Sequence, residues 1–517
     1  MGTEFIKKIN GVFAIILWDE KSHRMYLIRD RLGVQTLYYC QQNTEFHLGF
    51  FVKDLLKDDD MDRKAGREEL CELLGLGPAK SPGKTLYAGI KEVLPGSYVV
   101  IEAADIDCRF SFITALSGKC LFEKTYWELS CKEHTESYED TVEHVRSLVV
   151  DAIKRQTQTN EGFCSLLSGG VDSSLVTAIC SSEFAQKGMR LDTYSFDYAG
   201  NDVYFRANDF QPSLDNPYIK QMVAYLDTGH TFLTCDSDDL FENLDSAMIA
   251  RDMPCMADIE SSLYFFCQKV GCGHKVAITG ECADEVFGGY PWFHKREMLM
   301  ANTFPWSMDF GPKETILKDS LIQTLQIKEY VRDAYQSALK HAPKLPGEGT
   351  LESRRREIAY LNLFWFMQTL LRRMGSCADA ANMTARVPFA DYRLVEYVFN
   401  IPWEMKNKDG IVKGILRKAG ESYLPNEVLY RKKSPYPKTY DPYYENTVIR
   451  ALKKILENDN EPIHELVDKQ KVMTYMETPA DYGRPFYGQL MAGPQMMAYL
   501  LQINAWLKQY QIHISLS

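Results

Sequence analysis

The stretch Phe163-Cys164-Ser165-Leu166-Leu167-Ser168-Gly169-Gly170-Val171-Asp172-Ser173-Ser174 decides how this chain is read. Phe163 to Leu167 is an apolar run of strand length, and Leu175 to Lys187 is patterned as a helix. A short buried strand runs into a glycine turn, and the turn opens a helix. The two glycines let the backbone come close to an anion, and the hydroxyls of Ser168, Ser173 and Ser174 add donors. The helix start contributes unpaired N–H groups and the positive end of its dipole. Asp172 would repel a bare phosphate, so its presence points to a metal ion between carboxylate and anion. The stretch is read as a pyrophosphate cradle with a built-in magnesium ligand. A serine-capped helix after a tight turn is the bland alternative; it leaves the length and order of the run unexplained.

Working outward, strand candidates Leu191 to Phe196, Thr231 to Cys235 and Lys275 to Thr279 alternate with helix candidates Asn216 to Leu226, Asp238 to Ala250 and Ser261 to Val270. That alternation predicts an α/β fold, a parallel sheet wrapped by helices. Such sheets bind ligands at the carboxyl ends of their strands, where the cradle falls. Beyond about residue 315 the pattern is mostly helical, through Asn362 to Arg373 and Arg393 to Phe399. Upstream, residues 11 to 50 read as β, with strands in Gly11 to Trp18 and Arg24 to Arg29. Lys91 to Ala103 reads as a hairpin turning at Leu94-Pro95-Gly96. The expected division is a β-rich domain over 1–110, a linker over 111–135 and the parallel-sheet domain over 136–517.

Composition narrows the class. A chain of 517 residues, 45% apolar and 25% charged, is ordinary globular protein. A net charge of -11 argues against a nucleic-acid partner. Arg354-Arg355-Arg356 is a compact basic run, expected on a solvated helix face. No apolar run reaches the roughly 18 residues of a membrane helix. Thirteen scattered cysteines without a C-x-x-C pair fit reduced thiols, and hence a cytoplasmic setting. Gly77 to Thr85 imitates a phosphate loop, but it has five residues between its glycines and two prolines, so it is read as a plain loop.

Two further segments surround the cradle. Thr279-Gly280-Glu281-Cys282-Ala283-Asp284-Glu285-Val286-Phe287-Gly288-Gly289-Tyr290 follows a strand candidate, and Asp284 is placed as a second ligand for the ion held by Asp172. Arg431-Lys432-Lys433-Ser434 offers cations to a leaving pyrophosphate.

These segments carry a resemblance. Ser168 to Ser174 resembles the pyrophosphate loop of the N-type ATP pyrophosphatases. Together with Thr279 to Tyr290, Ala385-Arg386-Val387-Pro388-Phe389-Ala390-Asp391 and Arg431 to Lys433, it resembles the synthetase domain of class B, glutamine-dependent asparagine synthetases. Asn10-Gly11-Val12-Phe13-Ala14 and Arg29-Asp30-Arg31-Leu32-Gly33 resemble the later part of that family's glutamine amidotransferase domain. The resemblance implies an adenine nucleotide alpha hydrolase-like sheet and ATP-dependent conversion of aspartate to asparagine. The implied route is a β-aspartyl-adenylate, with ATP as substrate and Mg2+ as cofactor. Carried over, Ser168, Gly169, Gly170, Asp172, Ser173 and Ser174 would hold the pyrophosphate portion, and Leu166 and Gly280 would line the nucleotide pocket. Asp172 and Asp284 would hold the metal. Lys433, Glu281, Glu285 and Arg386 form the implied catalytic set.

Two departures stand out. The family's glutaminase uses a cysteine at the very N-terminus, whereas Met1 is followed here by Gly2 and the first cysteine is Cys40. The expectation is an incomplete glutaminase domain, by natural loss or truncation, with ammonia free or supplied by a separate chain. A homodimer is the other partner left open. The family also carries a glutamate two residues before the arginine of its Arg-x-Pro-Phe element; here that place is Thr384, behind an altered stretch Gly375-Ser376-Cys377-Ala378-Asp379. Threonine is no base near neutral pH. A related amide ligase on another carboxylate, and a non-catalytic nucleotide-binding paralogue, are the alternatives.

Overall fold

The computed structural model describes residues 2–42, 45–58, 61–105, 116–205, 212–477 and 485–516. Alternating apolar residues in the first part of the chain build a seven-stranded antiparallel sheet. Its strands are β1 (Ala14–Asp19), β2 (Arg24–Arg29), β3 (Tyr38–Gln42) and β4 (Glu45–Gly49), then, past a two-residue strand β5 (Lys64–Ala65), β6 (Ile90–Glu92), β7 (Ser97–Asp105) and β8 (Leu116–Thr125). The spatial order is β1-β2-β7-β8-β4-β3-β6.

This sheet departs from two expectations. Lys91 to Ala103 is not a hairpin: β6 pairs with β3, while β7 pairs with β2 and β8. The turn between them is peeled apart by the Val93 N–H donating to Leu37 O and the Gly96 N–H donating to Asp30 O. Of the supposed linker 111–135, residues 116–125 form β8, and residues 111–115 lie outside the described residues.

The apolar run before the cradle is the middle strand of a second sheet. β9 (Phe163–Leu166) is flanked by β10 (Asp192–Tyr198) and then β11 (Gly229–Cys235) on one side, and by β12 (Val276–Ile278) and then β13 (Thr384–Arg386) on the other. All four pairings are parallel. The chain leaves β9 toward β10 and later returns to its other side with β12. The strand order therefore reverses at β9, which makes its carboxyl end the crevice where such sheets bind ligands. Around the sheet lie α1 (Tyr138–Gln156), α2 (Val171–Ala185), α3 (Asn216–Leu226), α4 (Asp258–Gly271), α5 (Ala283–Phe287), α6 (Met367–Ala380), α7 (Gly414–Gly420) and α8 (Gly493–Gln509). The Ser137 hydroxyl caps α1 by accepting from the Asp140 N–H at 3.2 Å. Asp238 to Ala250, expected as one helix, is two, broken at Asn243.

The two sheets belong to one structure. Residues of both halves, from Tyr38 to Ile512, share a single apolar cluster. The Trp506 indole of α8 donates to the Tyr87 hydroxyl at 2.8 Å, and β14 (His513–Ile514) pairs in parallel with β5. A buried ion cluster adds a second tie. Glu92 of β6 forms an ion pair with Arg29 at 2.9 Å, accepts from Arg372 of α6 at 2.8 Å, and also pairs with Lys80. Burial alone would raise the Glu92 carboxyl; Arg372, Lys80 and Arg29 instead hold it well below the usual carboxylate range. Glu92→Ala would leave three cations packed without their partner. It is expected to cost about 3–5 kcal/mol in urea unfolding; a loss below about 1 kcal/mol would contradict this account of the tie.

The phosphate-loop imitation is a loop, as read. Its Lys80 is taken by Glu92, and its Lys84 by Glu68. The basic run is another matter. Arg356 is buried against Glu348 at 2.6 Å, Arg354 pairs with Glu357 at 2.8 Å, and Arg355 lies 4.8 Å over the Trp403 ring. These are packed, partnered arginines and not a solvated face. The described cysteines are all thiols without disulfides. No helix among the described residues is long and apolar enough to cross a membrane.

Candidate active site

A cavity of about 250 Å3 opens beyond the carboxyl ends of β9, β10 and β12. Its walls come from the cradle, the segment after β12, the start of α7 and the chain from Arg431 to Pro437.

The cradle is shaped by backbone. Gly169 has φ +70°, and a Cβ there would stand 2.9 Å from the Ile219 nitrogen, so both conformation and space call for glycine. The Ser168 N–H donates to Ser173 Oγ at 3.0 Å, and the two hydroxyls lie 2.9 Å apart. No side chain caps the start of α2, where Gly170 stands, so its first N–H groups remain to be satisfied by an anion. Gly280, on the loop after β12, approaches closely: a Cβ there would lie 2.6 Å from the Ser173 nitrogen.

Charge gathers on one side of this turn. Lys413 Nζ lies 2.5 Å from Asp172 Oδ2 and 2.8 Å from Asp284 Oδ1, and Lys433 pairs with Asp284 Oδ2. Burial raises the Asp172 carboxyl, with Lys413 opposing. Asp284 goes the other way, because two lysines outweigh its burial. Asp172 Oδ1 is buried and accepts no hydrogen bond from any described residue. Arg431 anchors the cradle from behind, donating to Gly169 O at 3.1 Å and pairing with Asp215.

The acidic segment splits its duties. Glu281 accepts from Arg373 of α6 at 2.6 Å, and Arg373 in turn lies 5.3 Å over the Tyr436 ring. Glu285 accepts from the Tyr290 hydroxyl at 2.5 Å. Burial, with Asp284 beside it, pushes the Glu285 carboxyl up to about 8. A carboxyl raised in the fold stabilises it fully below its unfolded value of 4.5, and that contribution is lost as pH rises through about 8. Glu285→Gln stays neutral. The melting temperature of this variant, relative to the parent, is therefore expected to climb between pH 5 and pH 9; parallel pH profiles would contradict the assignment.

Of the residues singled out from sequence, Leu166, Ser168, Gly170, Asp172, Ser173, Gly280, Glu281, Asp284, Glu285 and Lys433 line this one cavity. Gly169 in the turn and Ser174 in the first turn of α2 are not among the lining residues; Ser174 is fully buried, and its hydroxyl has no hydrogen-bond partner among the described residues. Arg386 is the misplacement. It sits at the end of β13, outside the cavity, and donates to Gln156 O and Gln158 O, tying the sheet to the end of α1. Thr384 is also elsewhere: with Gly375, Ser376 and Asp379 it lines a separate cavity of about 40 Å3 against Val34, Gln35 and Thr36 of the N-terminal part. The altered stretch therefore faces the junction of the two halves, not the cradle. Lys413, Arg373 and Arg417 line the main cavity and were not foreseen. Arg417 donates to Val412 O at 2.7 Å and Arg431 O at 3.0 Å, which holds the two basic walls together. None of the three stands in a local motif.

The family model for asparagine synthase matches residues 144–508, and that for a glutamine amidotransferase domain matches residues 1–111. The glutamine-hydrolysing asparagine synthetase 3 of Bacillus subtilis is 41% identical over 511 residues, covering 98% of this chain and 80% of that protein. Asparagine synthetase 1 of the same organism is 25% identical over 508 residues, 92% of this chain and 74% of that one. A Penicillium rubens protein named as an amidase is 24% identical over 508 residues, 88% of this chain and 70% of its own.

Proposed function

Since the chain belongs to the asparagine synthase family of carbon–nitrogen ligases, we propose that it makes asparagine from aspartate and ATP through a β-aspartyl-adenylate, with ammonia as nitrogen donor. A carboxylate is a poor acyl donor until one of its oxygens becomes part of a good leaving group. In the first step an aspartate β-carboxylate oxygen bonds to the α-phosphorus of ATP, and the bond to the β,γ-pyrophosphate breaks. In the second, ammonia attacks the acyl carbon, a proton is lost, and AMP leaves with the carboxylate oxygen it acquired.

The residues divide that work by place. Backbone N–H groups of the cradle, with Ser168 and Ser173, suit the pyrophosphate portion. Leu166 and Gly280 border the nucleotide. Lys433, already beside Asp284, is positioned to neutralise charge growing on the leaving group. Glu281, fixed by Arg373, and Glu285 border the acceptor side, and the apolar side chains of Met256, Leu263 and Phe266 line the same cavity, which suits exclusion of water from the acyl phosphate.

The donor set suits magnesium. Asp172 and Asp284 offer carboxylate oxygens only, they converge on one point now held by Lys413, and Asp172 Oδ1 has no hydrogen-bond partner among the described residues. Bound there, the ion would offset charge on the phosphates. The observation that carries the whole reading is this convergence of two acids on the glycine turn at the point where strand order reverses. Purified protein given ATP, aspartate, Mg2+ and ammonium is expected to yield AMP, pyrophosphate and asparagine in equal amounts. ADP as product, or no aspartate-dependent turnover, would reject the proposal.

A further inference from the structure

A protein cation already occupies the point between the two acids. Lys413 Nζ lies 2.5 Å from Asp172 and 2.8 Å from Asp284, its side chain is 2% exposed, and Lys433 takes the remaining oxygen of Asp284. The Lys413 backbone is held at φ 56°, ψ 35°, a left-handed conformation that residues other than glycine seldom adopt. Such strain persists where the surroundings enforce it, and it collects at functional positions. Lys413 ends the loop that precedes α7, and its side chain reaches back to acids borne on two other elements.

Two carboxylates make a weak home for a bare dication. Among the described residues, no group of three or more acidic, histidine or cysteine side chains could hold a metal ion. Magnesium prefers six oxygens and draws most of them from water and phosphate. Six basic and five acidic side chains line the cavity. A free dication thus meets an excess of positive charge, whereas a dication carried on a triphosphate arrives with a net negative charge.

We propose that Lys413 is a resident counter-cation, which closes Asp172 and Asp284 to a free divalent ion and yields them only to a metal carried on a nucleoside triphosphate. Its ammonium then has phosphate oxygens as new partners, so its charge is never left alone in the cavity. The proposal rests on the reading of this cavity as an ATP site. It makes metal binding conditional on nucleotide, which would keep the carboxylates paired between turnovers.

Mn2+ followed by electron paramagnetic resonance tests it without turnover. The parent protein is expected to bind no Mn2+ alone, and to bind one Mn2+ when a non-hydrolysable ATP analogue is added. Lys413→Met is expected to take up Mn2+ without nucleotide at least about tenfold more tightly than the parent. Adding Asp172→Asn to that variant should abolish the gained site, and Lys413→Arg should preserve exclusion. Equal nucleotide-free binding by the parent and Lys413→Met would overturn the proposal. If Lys413→Met fails to fold, the parent decides: Asp172-dependent Mn2+ uptake without nucleotide overturns it. A parent that binds no Mn2+ even with the analogue, beside a Lys413→Met variant that gains it, would instead reject the nucleotide reading and leave the exclusion standing.

Discussion

Asp172→Asn is expected to lower aspartate-dependent ATP–pyrophosphate exchange by about 10^2–10^3-fold, the usual consequence of removing one preorganised charge contact from a transition state. The substitution keeps size and shape. It removes one of two acids that converge on Lys413, and with it a candidate oxygen for the metal. Stability should barely move. Burial raises the Asp172 carboxyl, and Lys413 keeps Asp284 as a charged partner when asparagine replaces Asp172. The expected change in unfolding free energy is below about 1 kcal/mol. Exchange at the parent rate would remove Asp172 from the site. A large loss of stability would recast it as a structural acid.

Gly280→Ala is the second large effect, and it arises from backbone, not charge. The added Cβ would stand 2.6 Å from the Ser173 nitrogen and 2.8 Å from the Asp172 carbonyl carbon. Both are main-chain atoms of the cradle, so neither can swing away as a side-chain tip would. The loop after β12 or the turn itself must shift, and a displacement approaching 1 Å at such a site costs about 10^2-fold in rate. Overpacking adds about 1–3 kcal/mol of destabilisation. Because the strain falls on the turn, pyrophosphate exchange should drop even at saturating aspartate. Retained exchange with an unchanged melting temperature would show that the two loops do not meet as described.

How far sequence reasoning reached follows from the range of each interaction. The strand, glycine turn and helix around Ser168 to Ser174 are local, and their residues specify them without help from elsewhere. β9 and α2 formed where the apolar run and the helical pattern place them. The parallel sheet was legible because strands and helices alternate along the chain. Pairing partners were not. Period-two alternation marks Ile90–Glu92 and Ser97–Asp105 as strands equally well whether they face each other or, as found, lie apart in the sheet. Nor did composition show that Arg354, Arg355 and Arg356 each have partners waiting in the fold. The resemblance implies a catalytic role for Arg386, yet at the end of β13 it donates to Gln156 O and Gln158 O at the end of α1. Lys413 and Arg373 escaped notice because nothing local distinguishes them. Tertiary packing alone brings a lysine from the loop ahead of α7 between acids on α2 and α5, and an arginine of α6 onto Glu281.

In the proposed reaction this turn loads AMP onto a carboxylate. That step is tested most directly with aspartate whose β-carboxylate carries 18O, turned over with ATP, Mg2+ and ammonium, the AMP then being weighed by mass spectrometry. Adenylation requires that one labelled oxygen leave with the nucleotide, so AMP is predicted to gain a single 18O. Unlabelled AMP, or label found instead in inorganic phosphate beside ADP, would contradict it.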